Sequence, residues 1–189
     1  MNEQIGPIHN WVFNKIKFQE TEVEELLKLS VGLNIDVVAG TIEKGELQDI
    51  VNTPNIHTFL QERIYITEKR LALSVETLLE KGITLEVIKE TLFNFGLSNS
   101  FDSSVSAQKA YELLGKLMVS GMPCDRIESV KGITDTKIIY KENKDIHSEY
   151  WNDKALYQVL KDEVIKGLLY KTTLSYSHLT EREFVIEEK

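Results

Sequence analysis

Two histidine–glutamate pairs recur at one spacing in the N-terminal half. His9 precedes Glu20 by eleven residues, and His57 precedes Glu68 by eleven. Laying Ile8–Leu27 over Ile56–Val75, an offset of 48 residues, sets Ile8 on Ile56, His9 on His57, Trp11 on Phe59, Lys15 on Arg63, Ile16 on Ile64 and Glu20 on Glu68. Imidazoles and carboxylates are metal ligands, and two carboxylates held together can retain one proton at neutral pH. Both apolar stripes are interrupted at the same place, by Gln19-Glu20 and by Thr67-Glu68. A carboxylate beside a packing seam needs a partner.

Geometry leaves three arrangements. Eleven residues span about 16 Å of helix, so one helix cannot bring its own His and Glu to one ion. Antiparallel and flush helices would set Glu20 beside Glu68, a paired-carboxylate site for a metal or a shared proton. Parallel helices would set like against like. An antiparallel stagger of about eleven residues, three turns, would set His against Glu. The structural alternative is that each Glu bonds Lys15, Arg63, Arg70, Tyr65 or a backbone group and fixes register, while His9 and His57 cap or pack in their first turns. No Glu-x-x-His of the di-metal carboxylate bundles occurs at these positions, which counts against a ferritin-like centre.

A second group of reactive types lies in the C-terminal third. Cys124 follows Gly121-Met122-Pro123, and Arg126 beside it could lower the thiol pKa. A thiol nucleophile would need His147 or His178 as base. The densest segment is Asp145-Ile146-His147-Ser148-Glu149-Tyr150-Trp151-Asn152-Asp153. Tyr150 and Trp151 could wall an apolar ligand pocket with His147 and Glu149 as its polar groups. Alternatively Trp151 anchors the next helix and Asp153 caps it. Tyr176 and His178 share one face of an alternating stretch, where His178 could meet His147.

The elements that position these residues follow from periodicity. Helices are expected over 8–31, 55–81, 85–95 and 104–119, with shorter ones at 36–44 and 46–51. Pro7 and Pro54 stand before two of them, Thr84 caps a third, and Gly32, Gly82 and Gly96 read as stops. From Gly121 the pattern changes. Strands are expected at 126–130, 136–141, 172–177 and 182–187, with a turn at Lys131-Gly132 and a helix over 155–169 that turns Leu156, Val159, Leu160, Val164 and Leu168 inward. The expected fold is α+β. A helical region over 1–120 packs on a four-stranded antiparallel sheet with one crossing helix, β-β-α-β-β, over 121–189, and no Gly/Ser/Pro linker separates the two.

Composition bounds the function. The chain has 189 residues, 42% of them hydrophobic, enough for a proper core. Net charge is −8 with no basic stripe, which disfavours nucleic acid and anionic membrane surfaces. One cysteine excludes an internal disulfide and a multi-cysteine cluster. With no secretory signal and no apolar span, the expectation is a cytoplasmic protein away from membranes. No Walker A loop, Gly-x-Gly-x-x-Gly, Gly-x-Ser-x-Gly or His-Glu-x-x-His occurs. The residues therefore point to a module that binds a small molecule or a protein, with long helices suited to a homodimer. The alternative is a small hydrolase-like enzyme using Cys124 or a His/carboxylate metal site. No particular cofactor is implied.

Overall fold

Pro7 opens the first helix, α1 (Pro7–Leu27), where a missing N–H costs nothing. The computed structural model describes residues 5–31 and 44–189, so Gly32 and residues 36–43 of the expected short helix lie outside the described residues. The turn expected near 46–51 is α2 (Leu47–Ile50). In α3 (Ile56–Glu80) the Asn55 side chain accepts from the Thr58 amide at the start, and Gly82 at φ +89° follows the end. Thr84 caps α4 (Leu85–Ser98) by accepting from Val87, and Ser106 caps α5 (Ala107–Leu117) by accepting from Lys109. Each cap satisfies an amide that the helix leaves unpaired.

α1 and α3 run parallel. The His9 and His57 rings meet edge to face, 5.2 Å between centroids. Val12, Phe13 and Ile16 share one buried cluster with Ile56, Phe59, Leu60 and Ile64. Further along, Val23 and Leu26 pack with Leu71, Val75 and Leu78. Like therefore meets like at the 48-residue offset, and both antiparallel arrangements are ruled out.

Four strands form one antiparallel sheet in the order β1-β2-β4-β3. They are β1 (Glu128–Ile133), β2 (Lys137–Glu142), β3 (Leu174–Thr180) and β4 (Glu183–Glu188), with α6 (Leu156–Leu169) crossing between β2 and β3. Two hairpins joined by a helix give this order, as alternation implies. Lys131-Gly132 is not the turn. The register slips between Val130 and Gly132 as a bulge, and the chain reverses at 134–136. Ile138 and Tyr140 of β2 face the helices together with Phe184 and Ile186 of β4, and Tyr140 stacks on Phe184 at 5.2 Å. One buried cluster runs from α1 and α3 through α4, α5 and α6 to the sheet, so the helical and sheet halves share a core.

Two expectations about helices are corrected. Gly96 does not end its helix; it lies inside α4, against Gly167 of α6. A Cβ at Gly96 would stand 2.2 Å from the Val164 carbonyl, and one at Gly167 would stand 2.2 Å from the Phe93 carbonyl. These glycines let two backbones touch, which seats α6. Val159 was expected inward, but it is 38% exposed on the opposite side of α6. Among the described residues, no helix is long and apolar enough to cross a membrane.

Candidate functional site

A cleft of about 490 Å³ opens where three pieces of chain converge. The end of β2 and the following connection supply Glu142, Asp145, His147 and Ser148. The start of α6 supplies Lys154, Ala155, Tyr157, Gln158, Val159 and Asp162. The end of β3 and the β3–β4 turn supply His178, Glu181 and Arg182. Its volume falls in the range of about 300–1,000 Å³ found for small-molecule sites.

The connection that carries His147 is irregular yet firmly held. Asp145 Oδ1 accepts from the amides of His147 and Ser148, both at 3.0 Å. Burial pushes the Asp145 carboxyl up, but the hydrogen bonds from Ser148 and the His147 amide outweigh it and leave the pKa below the usual carboxylate value. One stripe of α3 then grips the segment from behind. Tyr65 meets the Tyr150 ring at 5.7 Å, Glu68 meets His147, and Glu76 accepts from the Asn152 amide at 2.7 Å and its side chain at 2.9 Å. Positions 65, 68 and 76 fall on one helix face because three and eleven residues are close to whole numbers of turns.

His147 is 5% exposed, and Nδ1 lies 3.1 Å from both Glu68 oxygens. Glu68 is 1% exposed. An ionised carboxylate accepts only, so Nδ1 is the donor, and Nε2 is left for whatever occupies the cleft. The ring also stacks on Tyr157, 3.9 Å between centroids and 14° from parallel. Tyr157 is buried, and burial together with the Glu68 and Glu142 carboxylates pushes its phenol well above the usual range, so it stays neutral. Behind Glu68, the Glu22 carboxyl is pushed up to about 8 by burial and then by the Glu68 charge.

The opposite wall repeats the pairing at the rim. Asp162 Oδ2 lies 2.8 Å from His178 Nε2, and Oδ1 accepts from Gln158 Nε2 at 2.8 Å and the Tyr176 hydroxyl at 3.2 Å. Between the walls, Glu142 is ion-paired with buried Lys161. Burial alone would lower the Lys161 pKa, but the Glu142 and Glu128 carboxylates reverse the sign and keep it charged.

Of the residues singled out in the sequence, His147 and His178 line this cleft; Glu149, Tyr150, Trp151, Tyr176 and Cys124 do not. Trp151 is 4% exposed and belongs to the core, near Tyr157, while Asp153 accepts from the Ala155 amide at the entry to α6. Glu149 is exposed, and Tyr150 packs on Tyr65. Tyr176 reaches the site only through Asp162. Cys124 is exposed in a short turn, its Sγ 3.9 Å from Asp125 Oδ1. Glu20 is ion-paired with Arg70, one of the partners foreseen, whereas Glu68 took His147, which was not among them. His9 Nδ1 accepts from the Gly6 amide at 3.0 Å, so it caps α1. Among the described residues, no three His, Cys, Asp or Glu side chains converge as a metal site.

Residues missed in the sequence are Tyr157, Gln158, Asp162, Lys154 and Arg182. Gln158 and Asp162 are spaced i, i+4 on a helix whose other face is apolar, which was a readable signal for a polar wall. The chain matches no known protein family, no curated protein and no solved structure.

Proposed function

We propose that this protein is a small-molecule-binding module and that its ligand occupies the cleft between the 142–148 connection, the start of α6 and the β3–β4 turn. One observation carries this reading. A buried carboxylate fixes His147 from behind and an aromatic ring fixes it from the side, so that one edge of an oriented imidazole borders a ligand-sized cleft. Taking the Glu68 carboxylate out of water to hold this imidazole is costly, which favours a role for the ring beyond packing. Native mass spectrometry of the full chain, purified under mild conditions and then exposed to a small-metabolite mixture, tests the proposal. A non-covalent adduct is expected, lost in Ala155→Trp, which fills the cleft from an exposed position of its wall. An adduct that persists in Ala155→Trp, or no adduct from any mixture, overturns it.

A second reading is acid–base catalysis. It is favoured by the two imidazole–carboxylate pairs, His147–Glu68 and His178–Asp162, that border the same cleft. In this reading His147 Nε2 takes or gives the proton and Glu68 stabilises the imidazolium.

A further inference from the structure

We propose that the ligand of this cleft carries an anionic group, a carboxylate or a phosphate, seated between Lys154, Arg182 and the first turn of α6. The inference rests on the small-molecule reading above and names the chemistry of what binds.

The acids of the wall are already engaged. Glu142 is paired with Lys161, Asp145 accepts two amides, and Asp162 accepts from Gln158 and Tyr176 and faces His178. Glu181, at the exposed tip of the β3–β4 turn, is the wall carboxylate with no donor among the described residues. The cations are the reverse. Neither Lys154 nor Arg182 forms an ion pair among the described residues, and both border the cleft.

The backbone adds donors of the same kind. Residue Ala155 at the start of α6 offers no side-chain cap. Leu156 donates to the Asp153 carbonyl and Val159 to the Ala155 carbonyl, while the Tyr157 and Gln158 amides find no acceptor among the described residues. Unpaired first-turn amides at the positive end of a 14-residue helix attract an anion. The independent observation is His147. Its side chain is more than nine-tenths buried, its Nδ1 is taken by Glu68, and its Nε2 has no partner among the described residues. That nitrogen is left for a ligand to contact. The chain as a whole has a net charge of −8, so its surface repels anions in general and this local excess of free donors stands apart from it.

The test is a titration of the isotopically labelled full chain, followed by amide and imidazole NMR at fixed ionic strength, with inorganic phosphate, succinate and the neutral analogue succinamide. Saturable shifts at Tyr157, Gln158 and the His147 ring are expected for phosphate, succinate or both, and whichever binds tighter identifies the anion. Arg182→Gln and Lys154→Gln are each expected to weaken binding about tenfold, the scale of one charge-assisted hydrogen bond. Glu181→Gln is expected to tighten it. Equal shifts with succinamide would overturn the anionic class while leaving the small-molecule reading intact. Shifts at scattered surface lysines, unaffected by Arg182→Gln, would overturn it as well. No cleft response to any probe removes the anion proposal; the adduct experiment with Ala155→Trp decides the small-molecule reading separately.

Discussion

His147 and His178 each face a carboxylate and each border the same cleft, but their surroundings differ. At His147 the two side chains are 6% and 1% exposed; at His178 they are 34% and 18% exposed. Glu68 has no other hydrogen-bond donor among the described residues, whereas Asp162 keeps Gln158 and Tyr176. One chemical pair thus has two physical meanings. In the interior the partners depend on each other, because an uncompensated buried charge is costly. At the rim, water and neighbouring donors substitute for a lost partner. The interior pair holds a ring in place; the more exposed rim pair leaves its imidazole freer to move.

The same substitution at both histidines tests that difference most severely. His147→Ala leaves Glu68 buried without a donor, facing Glu22, and removes the stack on Tyr157. A loss of about 4 kcal/mol in urea unfolding is expected, the scale of breaking one side of a buried pair. Adding Glu68→Gln should restore a large part of it, because the amide carries no charge to leave unpaired. Full loss in the double variant would show that the aromatic stack, not the hydrogen bond to Glu68, secures this wall.

A smaller effect sharpens the comparison through pH. Glu22, with a pKa pushed up to about 8, faces Glu68 of α3, and shares a water-sized hollow with Gln19 of α1 and with Tyr157 and Lys161 of α6. In the unfolded chain an ordinary carboxyl loses its proton near pH 4.5. Between these values the native state binds a proton that the unfolded state does not, so stability falls as pH rises from about 4.5 to about 8 and is level above. At about 1.4 kcal/mol per unit, the fall between pH 5 and pH 7 is on the order of 3 kcal/mol. Glu22→Gln should flatten this slope in urea midpoints taken at pH 5, 7 and 9. An unchanged slope would place the proton elsewhere.

The order of the elements and the helical seam were legible because their information is local. Alternation in 172–177 and 182–187 marks two strands, found at 174–180 and 183–188, and the repeat of His9, Ile16 and Glu20 at His57, Ile64 and Glu68 marks two similar faces. The seam's direction was not legible, since spacing within a helix says nothing about its neighbour's polarity. Glu68 and His147 are 79 residues apart, so their pairing exists only once topology brings the β2–α6 connection against α3. Gly96 resembled a helix stop because a glycine after an apolar stripe reads identically whether the chain turns or another backbone approaches; Gly167, the partner, was an equally quiet position. Trp151 carried the opposite ambiguity. A large ring in a loop serves a pocket or a core, and here the grip of α3 on Asn152 and Tyr150 draws it inward.

The smallest expected effect is also the most discriminating. His178→Ala removes a side chain that is one-third exposed, and Asp162 retains two donors on its other oxygen. Folding should change by less than about 1 kcal/mol, the usual worth of a partly exposed pair. If His178 nevertheless acts in the cleft, ligand affinity or acid–base activity will fall in a variant whose unfolding curve overlays the parent's. A loss of stability matching that of His147→Ala would instead make the rim pair structural. The two walls would then be alike, and the division between a ring held in place and a ring freer to move would no longer describe this cleft.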